Sequence, residues 1–229
     1  MTVRFRTPEG EWHTEQYDYL LAATGRAPNV HKLGLEATTL ARDAHGVPEF
    51  DRETMQCGTA PIFIAGDASD DVPLLHEAAD EGRIAGDNAA RFPDVRAGMR
   101  RAGLGIVFTD PQLAVVGGGY RAARASAAGF VTGAVSFDDQ GRARVMQRNR
   151  GRLHVYAEIG TGLLLGAEMI GPDAEHLAHL LAWARQLDLT IREMLMLPFY
   201  HPVVEEGLRT ALRDAAMKLD AAARQKQAA

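Results

Sequence analysis

The chain has 229 residues, 46 % of them hydrophobic, enough for one large domain or two small ones with a real core. Its 30 acidic against 25 basic residues argue against nucleic acid or an anionic membrane as the main partner. Cys57 is the only cysteine, which excludes an internal disulfide, a CxxC pair and a cysteine-based zinc site, and fits a reducing cytoplasm.

No apolar run reaches membrane-spanning length, and the polar start has no signal-peptide shape. Thr2–Arg6 alternates as a half-buried strand does, Pro8-Glu9-Gly10 is a turn, and Glu11–Glu15 reads as the hairpin partner. Tyr19-Leu20-Leu21-Ala22-Ala23 is continuously apolar and runs into Thr24-Gly25-Arg26-Ala27-Pro28-Asn29, the pattern of a buried strand entering a loop. Ile62–Asp67 predicts a second buried strand, ending on Gly66 and Asp67. In an open α/β sheet, ligands bind at such strand ends. There Gly66 would let a ligand approach and Asp67 would accept hydrogen bonds from hydroxyls, although a plain turn aspartate has the same local pattern. A helix is predicted from about Leu74 to Gly86, its N-terminus offering a positive dipole end beside the same sheet edge.

Residues 91–103 are basic and broken by Pro93, Gly98 and Gly103, and read as a linker. After them the texture changes to short strands. Leu104–Thr109 and Gln112–Val116 flank Asp110-Pro111. A helix from about Tyr120 to Ala128 precedes strands at Val131–Phe137, Leu153–Ile159 and Leu164–Ile170, the last two joined by Gly160-Thr161-Gly162. Helices follow at Ala174–Leu187 and after Pro202, with a Thr190-started turn between them, and the tail from Ala221 is expected to fray. The pattern predicts an α+β fold, an antiparallel sheet with helices on one face, preceded by a partial α/β segment.

Two patterns compete for attention. Gly117-Gly118-Gly119-Tyr120-Arg121-Ala122 fits G-x-G-x-x-A, with Asp138 and Asp139 about twenty residues on, but the neighbouring hairpins suit an antiparallel sheet rather than a nucleotide-binding crossover. His176 and His179 lie one helical turn apart on an otherwise apolar helix, where packing or subunit contact is a better account than a metal.

The candidate chemistry lies at Phe199-Tyr200-His201-Pro202-Val203-Val204-Glu205-Glu206. Proline suits the first turn of a helix, so His201 is expected at a helix entrance with Glu206 folding back towards it. The helix end and the carboxylate would pull the imidazole pKa in opposite directions, poising a general acid–base. Taken alone, this window favours a capping histidine beside a solvated acidic first turn.

Four segments in order resemble the C-terminal part of the flavin-dependent pyridine nucleotide–disulfide oxidoreductases, closest to the dihydrolipoamide dehydrogenases. They are Ala23–Asn29; Ile62–Asp67 with Leu75-His76-Glu77-Ala78-Ala79-Asp80-Glu81-Gly82; Val107–Gln112; and His201 through Glu206. The resemblance implies that residues 1–24 are a remnant of the NAD(P)-binding domain, 25–96 a piece of the FAD-binding domain, and 97–229 the interface domain of a homodimer. It implies FAD and NAD as cofactors, with Gly66, Asp67, Leu74, Leu75 and His76 on the flavin. It further implies His201 as the thiol acid/base assisted by Glu206, acting on a disulfide or dithiol substrate such as a lipoyl-bearing protein. The family's glycine-rich fingerprints and redox cysteine pair lie upstream of the segments found here. The chain is therefore expected to be a fragment, inactive and weak in flavin affinity by itself. Val203-Val204-Glu205 replaces the usual Thr-x-Ser, and Phe199 stands where many lipoamide enzymes have a second histidine. Both put the disulfide in question, so a glutathione-type relative or a non-catalytic dimerisation module is the alternative. The lack of a C-terminal cysteine pair counts against a mercuric reductase.

Overall fold

The computed structural model describes residues 1–228, and side chains as far as residue 226. The chain divides into two units, residues 1–98 and the remainder from Met99.

In the first unit, β1 (Thr2–Arg6) and β2 (Trp12–Gln16) pair antiparallel in the register Thr2↔Gln16. The hairpin expected from the alternation is present, and the Arg4 guanidinium lies 4.5 Å over the Trp12 ring. The two apolar runs behave differently from the sequence expectation. Tyr19–Ala23 is not a strand, and Tyr19, Leu20 and Leu21 are exposed. Ile62–Gly66 is half-buried, Asp67 is exposed, and the run makes only an isolated bridge, Gln56↔Phe63. A run of this kind becomes a central strand only when ladders form on both sides. Among the described residues no strand runs beside either segment. A small core of Met55, Ile84 and Ala85, flanked by Phe50, Phe63 and Ala65, joins these bridges to α1 (Leu75–Arg91). The Asn88 amide, 2 % exposed, donates to the carbonyls of Thr54 and Arg96 at 3.0 and 2.8 Å and accepts the Arg96 amide at 2.9 Å.

The second unit is built on five antiparallel strands in the order β3-β4-β7-β6-β5. These are β3 (Leu104–Val107), β4 (Gln112–Val116), β5 (Phe130–Ser136), β6 (Arg152–Glu158) and β7 (Leu164–Gly171). Alternation sorts the faces: Leu153, Val155 and Ala157 of β6 point into the core with Ala114, Val116, Ala167 and Met169. The helices α4 (Ala174–Gln186), α5 (Ile191–Met196) and α6 (Glu206–Ala228) cover that face. On α6, Leu208, Ala211, Leu212, Ala215 and Leu219 recur at helical spacing and form the buried stripe. Each fully buried leucine among them contributes about 1.5–3 kcal/mol relative to exposure. The α+β architecture expected from the strand pattern is the one observed.

Three local differences have physical causes. The short α2 (Gly119–Arg124) is earlier and shorter than expected, and Tyr120 packs on Phe130 and Tyr156, on the opposite face of the sheet. An unpredicted five-residue helix, α3 (Gly141–Val145), follows Gln140; it is too short to show a period. The expected fray after Ala221 is instead helix to Ala228, because Ala, Arg, Lys and Gln are strong helix formers.

The α6 helix also finishes the sheet edge. Asp214 Oδ2 accepts the Ala134 amide of β5 at 2.8 Å, Lys218 Nζ donates to the Thr132 carbonyl at 2.7 Å, and the two side chains pair at 2.7 Å. Ala211 and Ala215 approach so closely that a Cβ on Gly133 would lie 2.2 Å from the Ala211 carbonyl oxygen.

Candidate active site

His201 sits in the loop between α5 and α6, behind Pro198 and before Pro202. The helix does not begin at Pro202, as expected, but at Glu206. The Glu206 carboxylate folds back instead, accepting the Val203 amide at 3.2 Å and meeting His201 Nδ1 at 2.9 and 3.0 Å. Residues 201–205 therefore satisfy this side chain rather than extending the helix by another turn. The expected pairing of His201 with Glu206 is present in the geometry.

The hydrogen bond from His201, then that from the Val203 amide, lowers the Glu206 pKa from its ordinary 4.5. At neutral pH this carboxylate is ionised and can only accept. When the ring is neutral, His201 Nδ1 must then carry the proton, and Nε2 keeps its lone pair. The His201 side chain is 80 % exposed, and Nε2 meets no described partner. A neutral imidazole so arranged can take a proton from an acidic group and return it.

Beside this loop lies an apolar groove of about 410 Å³ lined by Leu180, Trp183, Leu187, Leu197, Phe199 and Tyr200. The outer face of α4 supplies its wall, since Trp183 and Leu187 are 64 % and 70 % exposed. The sequence reading left this apolar helix to packing or subunit contact without separating its two apolar faces. Signals for the outer one were present at positions 180, 183 and 187, spaced three and four apart.

The remaining candidate residues are in the first unit. Gly66–Ser69 is a 3₁₀ turn with Gly66 at φ +67°, and a Cβ at Gly66 would come 3.1 Å from the Ala78 Cβ. The Gly66 amide donates to Glu81 Oε2 at 2.7 Å, and the Ser69 hydroxyl lies 3.3 Å from the same oxygen. Glu81 is fully buried, so this turn is clamped from below. Asp67 projects from it and meets Arg26 at 2.8 Å, both side chains being more than half exposed. Such a pair is weak and leaves the carboxylate accessible. Leu74 is the N-cap of α1, but no side chain caps the helix; Leu75 is 87 % exposed and His76 Nε2 lies 4.0 Å from Glu77. The amides of Leu75 and His76 thus lie at a positive helix end with no side-chain cap over them.

The competing patterns resolve simply. Glu168 Oε1 accepts the Tyr120 amide at 2.8 Å and occupies the place a phosphate would take above Gly117–Gly119. His179 Nδ1 donates to its own helix at the Glu175 carbonyl, 2.6 Å away, and no group of three or more metal-ligating side chains occurs among the described residues. Among those residues no helix is long and apolar enough to cross a membrane.

Residues 104–212 match the family model described as pyridine nucleotide-disulphide oxidoreductase, dimerisation domain. A mercuric reductase of Acidithiobacillus ferrooxidans is 34 % identical over 197 residues, covering 85 % of this chain and 35 % of that protein. A dihydrolipoyl dehydrogenase of Haloferax volcanii is 32 % identical over 216 residues, 93 % of this chain and 44 % of the relative. The chain thus spans less than half the length of these curated relatives. The crystal structure of LpdA from Mycobacterium tuberculosis shares the fold, with TM-score 0.75 at 24 % identity over 92 % of this chain and 45 % of that one. The HOCl-induced flavoprotein disulfide reductase RclA from Escherichia coli gives 0.73 at 23 % over 94 % and 48 %. Residues 104–212 are thus a pyridine nucleotide-disulphide oxidoreductase dimerisation domain, and the chain is similar to proteins of that family over 85 % and 93 % of its own length.

Proposed function

We propose that this chain provides the proton-transfer end of an FAD- and NAD-dependent disulfide oxidoreductase acting on a dithiol of the dihydrolipoamide type. The observation that carries the reading is the His201–Glu206 pair, in which Nδ1 meets the carboxylate on a side chain that is largely exposed. A dithiol reacts with a disulfide only as thiolate, so oxidation at neutral pH needs a base with this geometry. Glu206 holds the ring and stabilises the imidazolium once His201 has taken the thiol proton; the proton returns from Nε2 in the reverse direction. Overall identity does not choose the substrate, since a mercuric reductase and a dihydrolipoyl dehydrogenase match about equally well.

The residues of the first unit fit a flavin dinucleotide. Asp67 is an accessible acceptor for ribitol hydroxyls, Gly66 lets its turn close on Ala78 of α1, and the amides of Leu75 and His76, following Leu74 at the start of α1, are offered as donors. Bound there, FAD would supply the two-electron exchange between the dithiol and NAD. On this reading residues 1–24 belong to an NAD(P)-binding domain, 25–96 to an FAD-binding domain and 97–229 to the interface domain, working in a reducing cytoplasm. The groove of Trp183 and Leu187 is the surface on which a second copy docks, and the redox cysteine pair is contributed from outside this chain.

The test is His201→Gln in the full FAD-loaded protein. Dihydrolipoamide oxidation should fall by about 10²–10⁴-fold with flavin content unchanged. Activity retained within a few-fold would sink the assignment.

A further inference from the structure

Gln140 is half-buried, immediately ahead of α3. Its Oε1 accepts the Ala143 amide at 2.6 Å, an ordinary helix cap. Capping needs only an acceptor, yet the other end of this amide is also engaged. Nε2 donates to the Val203 carbonyl at 2.8 Å, across 63 residues of sequence. Val203 in turn gives its own amide to Glu206 Oε2 at 3.2 Å, and the same carboxylate holds His201 Nδ1. Val203 is thus gripped at both backbone groups, by Gln140 on one side and by Glu206 on the other.

We infer that Gln140 is a positioning residue for the His201–Glu206 pair, tying the start of α3 to the loop that carries the histidine. The inference rests on the acid–base reading above. Gln140 does not reach the imidazole; it fixes the peptide against which Glu206 is aimed. Without that donor the Val203 carbonyl is released, the loop gains freedom, and Glu206 loses part of what directs it at Nδ1. The Val203 amide is also the second cause of the lowered Glu206 pKa, so the carboxyl should report the loosening.

Two substitutions separate the cap from the tether. Gln140→Glu keeps an acceptor for the Ala143 amide but turns a second acceptor towards the Val203 carbonyl; Gln140→Leu removes both functions. Long-range ¹H–¹⁵N NMR of the chain reads the tautomer of each of its eight histidines, with His201→Gln assigning the signal. The wild type should show His201 in the Nδ1–H form. Gln140→Glu should lose that signature, with the Nε2–H form becoming at least equally populated. Its Glu206 carboxyl pKa should also move up towards the ordinary value, while the Ala143 amide stays protected from exchange. Wild-type tautomer and Glu206 titration in both variants would overturn the inference while leaving the acid–base reading intact. A wild-type His201 already in the Nε2–H form would sink that reading and the inference with it.

Discussion

Glu168 bridges a helix and a strand: its Oε1 takes the Tyr120 amide at the start of α2, and its Oε2 takes the Tyr156 hydroxyl at 2.9 Å. Tyr156 is 2 % exposed, and burial followed by this hydrogen bond drives its phenol pKa upward. One carboxylate thus turns a glycine-rich loop that resembles a phosphate cradle into a sealed structural corner. Glu168→Ala should lower the urea-unfolding free energy by about 1–3 kcal/mol, because a buried hydroxyl and a helix amide both lose their acceptor. No change in the unfolding midpoint would show that water replaces the carboxylate at no cost.

The Glu206 carboxyl gives a pH signature with a definite sign. Its pKa is lowered in the folded chain, so its contribution is present above the unfolded value of 4.5 and fades as pH falls through the lower folded value. Glu206→Gln should therefore be less stable than the wild type at pH 7, with the two converging in strong acid. Parallel unfolding curves with a constant offset at every pH would contradict the pairing.

Gly133 is where α6 meets β5 most closely. Alanine there would drive its Cβ to 2.2 Å from the Ala211 carbonyl oxygen and 2.6 Å from the Ala215 Cβ. Backbone has little freedom to yield, so Gly133→Ala should cost about 1–3 kcal/mol or more in thermal or denaturant unfolding. A neutral substitution would mean that α6 rides more loosely on the sheet than its contacts indicate.

Cys57 is fully buried, and desolvation pushes its thiol pKa up. Native chain should react with a thiol reagent far more slowly than unfolded chain, at a rate set by opening of the fold. Equal rates in buffer and in denaturant would refute the burial.

If a second copy docks on the groove, Trp183→Glu should abolish association. Sedimentation velocity should then give a dimer for the wild type and a monomer for the variant. A wild-type monomer at micromolar concentration would remove the proposed interface.

Much of the second unit was legible because its strands alternate: β6 places Leu153, Val155 and Ala157 on one face and His154 and Tyr156 on the other. The His201–Glu206 pair was equally visible, since its members lie only five positions apart. The boundaries were not, because the Glu206 carboxylate gathers the Val203 amide and the His201 ring around a non-helical turn, and no local propensity encodes that. The apolar runs Tyr19–Ala23 and Ile62–Asp67 state only that the chain is suited to burial; whether strands flank them depends on partners no window contains. Gln140 escaped entirely, its second hydrogen bond being to a residue 63 positions away.

The α6 helix has a further consequence through Asp214 and Lys218. By filling the open amide and carbonyl of Ala134 and Thr132, these two residues deny that side of the sheet to any incoming strand. Growth of the sheet into a neighbouring molecule is blocked there, and copies of the chain must meet β5's side through side chains. Glu206 opens the same helix, about 12 Å along its axis from Asp214. Resistance to polymerisation and the aim of the proton carrier are thus borne by one rigid rod, and a substitution that shifts the rod alters both.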